Sequence, residues 1–391
     1  MRAGLFDARF PFTRGLTQTQ VYDVSMRSQS IFLVIVGVYV AAGLAFAQRT
    51  GNESEHHSTP TNLVLHTDGT VELPAQLIPP SKFLSAEGKA YLTQHLHDMQ
   101  DPKAAYQEKG IPRFMIPYLQ RQKSLFAVNL TEQSIAGVRA YVYTPSTGIA
   151  AKNSERVLIN LHGGGFMGCW PGCAELESRP LSALGRIQVI SLDYRQGPQN
   201  KFPAASEDVA AVYRELLKTH KADNIGIYGC SAGGMLTAES VAWFQKHDLP
   251  APGAIGIFCA SAGEFGGDAA YTSTPLGEAR LMPEMRGGGM AALPYFSDTD
   301  ANDPLVSPIR SADILAKFPP TLVITGTRGF EMSSAIYTHS QLVKLGVDAE
   351  LHVWEGMFHG FFYNPDVPES KEAFDVMVRF FDRHLGTAAK N

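Results

Sequence analysis

The stretch "NIGIYGCSAGG", residues 224–234, decides how the chain folds. Its first six residues are a short isoleucine-rich apolar run, the mark of a strand buried on both faces. A helical pattern begins directly after Ser231. Gly229-x-Ser231-x-Gly233 at a strand-to-helix junction reads as a nucleophile elbow, a turn so tight that the serine Oγ is pushed outward and glycine is demanded on either side. The helix N-terminus behind the serine favours developing negative charge. Glycine and serine are common, so the bare pattern carries little. The strand before it and the helix after it give it weight.

The same grammar extends in both directions. "RVLINL" (156–161), "IQVISLDY" (187–194), "AIGIFCA" (254–260), "TLVITG" (321–326) and "AELHVW" (349–354) are continuous apolar runs. Between them Val209, Val212, Tyr213, Leu216 and Leu217 keep helical spacing, as do Phe374, Val378 and Phe381 in the last segment. Strand–helix alternation predicts a doubly wound α/β fold, with a mostly parallel central sheet and helices on both faces. Upstream, "SIAGVRAYVYTP" (134–145) alternates like one strand, ended by Pro145. Between Pro79 and Leu125 two helical patterns are expected, the second interrupted by Pro117. Ala90, Tyr91, Leu96 and Met99 do not make a clean stripe in the first.

Composition sets the class. A chain of 391 residues, 45% hydrophobic and 18% charged, suits one large α/β domain with an appended segment. A net charge of −5 without a lysine or arginine run gives no nucleic-acid partner. The appended segment is informative: "IFLVIVGVYVAAGLAFAQ" (31–48) carries no charge and ends in a small-x-small pattern, as a cleaved export signal does. Met26 lies just upstream, so translation is expected to start there, with residues 1–25 an extension and 1–47 removed. An uncleaved membrane anchor is the alternative. After cleavage no membrane span is expected, and the protein is expected to be exported, periplasmic or secreted. Residues 48–78, with His56 and His57, read as a polar linker. Cys169 and Cys173 are spaced for a small-loop disulfide or are free thiols, and no accompanying histidine pattern points to zinc. A homo-oligomer is compatible with the sequence, which does not fix the state.

The chemistry-bearing residues follow the same strands. In "LHGGGF" (161–166), three glycines after a buried strand match a loop whose backbone N–H groups reach a tetrahedral intermediate. Gly164, Gly165 and Ala232, the residue after the nucleophile, are the expected donors. His162 is expected to order that loop. Serine needs a base, and His359 in "EGMFHGF" lies after the last strand and before the final helix, the place of the histidine in the order Ser…acid…His.

Taken in order, "HGGGF", "GCSAGG", "DPLVSP", "PPTLVITGTR" and "EGMFHGF" resemble the hormone-sensitive-lipase family of α/β-hydrolases. The resemblance implies a carboxylic-ester hydrolase for short acyl chains, with a small-molecule ester as substrate and neither metal nor organic cofactor. It implies a helical cap over 79–125 and a catalytic domain over 126–391. Phe83, Tyr91, Phe114 and Met115 would line a pocket under that cap or form its core. Two residues depart from the family pattern. Cys230 stands where an aspartate commonly precedes the nucleophile. More seriously, the triad acid belongs in the loop after "TLVITG", and the position that should hold it is Gly329.

Two nearby carboxylates are candidates for that role. Glu331 lies in the same loop with one extra methylene of reach, or else serves as a charge at a helix N-terminus. Asp303 in "DPLVSP" is implied by the resemblance to fix a loop. If neither reaches His359, a weakened esterase is expected, in which Gly329→Asp raises kcat at least tenfold. The runner-up expectation is a non-catalytic binder of small apolar ligands on the same fold.

Overall fold

The structure, a computed structural model, describes residues 63–386 apart from 109, 264 and 283–292. The segment 31–48 read as an export signal, the expected start at Met26 and the His56–His57 pair lie outside the described residues. Residues 63–77 belong to a unit of their own, with β1 (Val64–Leu65) paired antiparallel to β2 (Val71–Glu72). In its turn the Asp68 carboxylate accepts from the Thr70 N–H at 2.9 Å, and Gly69 takes φ +89°. The stretch read as linker thus contains a hairpin. Periodicity could not expose it, because each strand has two residues and both are exposed.

The larger unit begins at Ile78. It opens with α1 (Ala86–Gln100), α2 (Pro102–Ala105) and α3 (Ile116–Leu125). Ser85 caps α1, its Oγ accepting from the Gly88 N–H at 2.8 Å. Gly88, Tyr91, Leu92 and His95 form the buried face of α1. The spacing is helical, and a histidine among those positions is what spoils the apolar stripe. Pro117 does not interrupt α3. It stands in the first turn, where a missing N–H loses no helical partner.

Eight strands follow: β3 (Val128–Ile135), β4 (Val138–Pro145), β5 (Val157–Leu161), β6 (Gln188–Leu192), β7 (Ile225–Cys230), β8 (Ala254–Phe258), β9 (Thr321–Gly326) and β10 (Ala349–Trp354). They form one sheet in the order β10-β9-β8-β7-β5-β6-β4-β3. Strands β5 to β10 are parallel, whereas β4 runs antiparallel to both β6 and β3. The stretch read as a single strand over 134–145 is therefore the second half of a hairpin. Ala136 and Gly137, at φ +50° and +86°, turn the chain between Ile135 and Val138. Strand β3 lies at the sheet edge with mostly exposed side chains, so no buried face imposes alternation on it.

Helices α4 (Gly172–Gly185), α5 (Ala204–Leu216), α6 (Ala232–Lys246), α7 (Ala269–Glu278), α8 (Ala312–Leu315), α9 (Met332–Lys344) and α10 (Pro368–His384) connect and flank the strands. Because strand side chains alternate between faces, the central strands feed two apolar layers. Val157, Ile159 and Leu161 join one with α5 and α6; Leu158 joins the other with α4 and α10. Strand β10 is the exception. It is only partly buried, as an edge strand must be, so continuous apolar character did not mean cover on both faces there. Cys169 and Cys173 form a disulfide, and Cys230 and Cys259 are buried free thiols. Among the described residues no helix is long and apolar enough to cross a membrane.

Candidate active site

A parallel sheet gathers the C-terminal ends of its strands along one edge, and ligand sites form there. Ser231 follows β7, Gly163 to Gly165 follow β5, Glu331 follows β9 and His359 follows β10. The fold therefore gathers residues far apart in sequence.

Ser231 holds φ +58° and ψ −123°, a conformation uncommon for a residue with a side chain. Such strain persists only where the surroundings enforce it, and it clusters at functional sites. Here the constraint is close packing of backbone. A Cβ on Gly229 would lie 2.2 Å from the Leu161 carbonyl oxygen, and one on Gly233 only 1.7 Å from it. Helix α6 therefore packs against the end of β5 through bare glycine, which forces the turn that carries Ser231. The Ser231 N–H is fixed by the Phe258 carbonyl at 2.9 Å.

The glycine loop lies alongside. A Cβ on Gly163 would come 3.4 Å from Ser231 Cβ. The Gly163 N–H donates to Glu177 Oε1 at 2.9 Å, while Gly164 and Gly165 take φ +125° and +64°. Among the described residues, the Gly164 and Gly165 N–H groups meet no protein acceptor. The Ala232 N–H, at the first turn of α6, has no helical one. These are the three donors that the sequence singled out. His162 is buried, its Nδ1 2.6 Å from the Gly163 carbonyl and its ring stacked on Tyr194. Burial pushes its pKa down to about 4, so it stays neutral and orders the loop.

Glu331 is fully buried, and its carboxylate turns back from the start of α9 rather than capping that helix. Oε1 accepts from Thr325 Oγ1 at 2.9 Å, and Oε2 lies 3.0 Å from His359 Nδ1. The other side of the His359 ring stacks on Phe330, with centroids 4.5 Å apart. Burial is the largest influence on the imidazole and opposes its charge. The charge and hydrogen bond of Glu331, with smaller help from Cys259 and Glu278, outweigh it and lift the pKa to about 9.

Gly329 now has an explanation. A Cβ there would sit 2.4 Å from Glu331 Oε1 and 2.8 Å from both Cδ and Oε2. The volume that an aspartate at 329 would occupy is filled by the carboxylate of Glu331. Of the two alternatives left open for the triad acid, Glu331 is the one that reaches His359, so the condition for a weakened site is not met: position 329 is empty of side chain because a longer one reaches into it from two residues on. Asp303 is occupied elsewhere, its Oδ1 accepting from the Leu305 N–H at 2.9 Å within its own turn.

Beside His359 lies a cavity of about 170 Å³, walled by Tyr91, Phe114, Met115, Tyr118 and Phe358. Phe83, expected there too, is instead exposed. His95 and Glu278 also line it and were not expected from the sequence. His95 stacks on Phe358 at 3.7 Å, and burial drives its pKa down to about 3. Burial likewise raises that of Glu278. Neither residue stands in a recognisable motif, so only the packing of α1 and α7 around the cavity could place them.

A family model for the alpha/beta hydrolase fold matches residues 158–363. Among curated proteins, the chain is similar to an acetyl-hydrolase of Streptomyces hygroscopicus, 28% identical over 61% of this chain and 80% of the relative. It is similar as well to LipF, a carboxylesterase/phospholipase of Mycobacterium tuberculosis, 26% identical over 59% and 63%. Of solved structures, esterase E25 superposes with a TM-score of 0.69 at 27% identity, covering 80% of this chain and 98% of that one. An esterase from the bacterial hormone-sensitive lipase family does so at 0.63 and 25%, covering 76% and 99%. The non-catalytic alternative rested on a missing carboxylate, and both the geometry and these relatives remove its basis. The chain belongs to the α/β-hydrolase fold, in its hormone-sensitive-lipase family, and is an ester hydrolase.

Proposed function

We propose that the chain hydrolyses short-acyl esters through a Ser231–His359–Glu331 triad and an acyl-enzyme. The observation that carries this reading is the 3.0 Å contact between Glu331 Oε2 and His359 Nδ1. With Nδ1–H held by a carboxylate, Nε2 is the basic nitrogen and takes the Ser231 proton as Oγ attacks the ester carbonyl. The oxyanion is received by the N–H groups of Gly164, Gly165 and Ala232. Collapse expels the alcohol, which takes the proton back from His359. Water then repeats the sequence on the acyl-serine and releases the acid.

The acyl preference is supported by the modest cavity beside His359 and by the acetyl-hydrolase among the relatives. Export is supported by the apolar segment at 31–48 and by the Cys169–Cys173 disulfide, which persists in oxidising compartments. Hydrolysis of p-nitrophenyl acetate by wild type and by Ser231→Ala tests the mechanism. Loss of turnover and of fluorophosphonate labelling is expected in the variant. Turnover by Ser231→Ala within tenfold of wild type would remove Ser231 from the reaction.

A further inference from the structure

Inside α4, in a helix whose side chains are almost all buried, stands Glu177. A buried carboxylate is costly unless its oxygens are satisfied. Here each oxygen has two donors. Oε1 accepts from the Gly163 N–H at 2.9 Å and from the Tyr363 hydroxyl at 3.0 Å. Oε2 accepts from Asn160 Nδ2 at 2.9 Å and from the Cys230 N–H at 3.3 Å. Among the described residues no cation pairs with it, so backbone and side-chain dipoles alone hold it.

The identity of those donors matters. Gly163 opens the oxyanion loop, Cys230 immediately precedes Ser231, and Tyr363 lies four residues after His359 in the same loop. One carboxylate therefore joins three segments that share no covalent continuity. We propose that Glu177 is a positioning residue, fixing the oxyanion loop against the nucleophile elbow and the histidine loop so that the donors meet the developing oxyanion. It touches no substrate and acts through the backbone of Gly163 and Cys230. This inference rests on the triad reading above.

The chemistry of the four donors makes the role specific to a carboxylate. Two are backbone N–H groups that cannot reverse polarity. Glutamine has the same shape but presents one acceptor and one donor. If its carbonyl faces Gly163, its NH₂ faces the Cys230 N–H, and the elbow loses its tether; if the amide is reversed, the oxyanion loop does. The Tyr363 hydroxyl and the Asn160 amide can reorient, but those backbone groups cannot. Burial raises the Glu177 pKa to about 7 against the pull of its donors, so the tether is strongest above neutrality.

The test is Glu177→Gln, with kinetics normalised to active sites titrated by a fluorophosphonate. We expect kcat on p-nitrophenyl acetate to fall by at least tenfold with KM within threefold of wild type, since displacing oxyanion donors weakens transition-state binding selectively. The affinity of a trifluoromethyl ketone, which builds the oxyanion, should fall in parallel. A ground-state alcohol inhibitor should bind as before. A purely structural role would instead lower Tm and the titratable fraction, leaving kcat per site and ketone affinity unchanged, and would overturn the proposal. So would kcat within twofold of wild type. Tyr363→Phe, which removes one reorientable donor and keeps both backbone tethers, should retain kcat within fivefold; a loss as large as that of Glu177→Gln would also overturn it. Ser231→Ala assayed alongside separates the two readings, because turnover there fails the triad itself.

Discussion

Adding a side chain at residue 329 is the most informative single perturbation, because the triad reading and the sequence expectation predict opposite results. In Gly329→Ala the new Cβ falls 2.4 Å from Glu331 Oε1, whereas real Cβ atoms stay beyond 3.0 Å. The carboxylate must therefore retreat by at least ~0.6 Å. A displacement of that size directed away from His359 would carry the 3.0 Å Glu331–His359 contact past about 3.5 Å, where it no longer acts as a hydrogen bond. Complete loss of the acid's function costs about 10⁴ in kcat, or roughly 5.5 kcal/mol on the barrier. A displaced but still charged carboxylate retains part of this, so a fall between about tenfold and 10³-fold is expected. Overpacking should also lower stability by about 1–3 kcal/mol. Rates are best measured on p-nitrophenyl acetate well below the Tm, per titrated site. Gly329→Asp should fall too, since it forces a second carboxylate against the first in a buried site. Pairing Gly329→Asp with Glu331→Ala clears the obstruction and should recover at least tenfold over Glu331→Ala alone. Wild-type kcat in Gly329→Ala, or a gain in Gly329→Asp, would show that Glu331 is not the carboxylate that supports His359.

Other consequences follow from the same geometry. The raised pKa of His359 favours the charged imidazole, which cannot accept the serine proton, so kcat/KM should climb with pH and level off above about 9. The same shift adds stability below the ordinary imidazole value of 6.5 that fades as pH rises through about 9, which thermal melts across that range would register. Phe114→Ala opens the cavity beside His359 and should move the preference from acetyl toward longer acyl esters, read as the ratio of kcat/KM for p-nitrophenyl octanoate and acetate. Asp303→Asn weakens the cap on the Leu305 N–H and should cost about 1 kcal/mol of stability with kcat retained. A large kcat loss there would return Asp303 to the list of acids.

What the sequence disclosed and what it hid divide along physical lines. Strands β5 to β9 were legible because burial on both faces demands continuous apolar runs, and the glycines around Ser231 because backbone contact at 1.7 to 2.2 Å admits nothing larger. Strand β3 was hidden because "VNLTEQSI" lies exposed at an edge, and its turn is an Ala136-Gly137 pair rather than a strong hairpin signal. The triad acid was half legible. Glu331 stood in the right loop, but whether its extra methylene reaches His359 depends on the chain folding back over Gly329. The glycine that looked like a defect was the signal, readable only together with its neighbour. Glu177 gave none, since a glutamate in a helical pattern reads as a solvated face until α4 is seen to be buried.

Catalysis by this site turns on Glu331 supporting His359. The direct measurement is kcat/KM for p-nitrophenyl acetate in Glu331→Gln, per titrated site, beside Asp303→Asn. A loss of about 10⁴ is predicted for Glu331→Gln, with the acid limb of its pH profile moved below that of wild type because the main charge opposing burial at His359 is then gone. Activity within tenfold of wild type in Glu331→Gln, with collapse in Asp303→Asn, would contradict it.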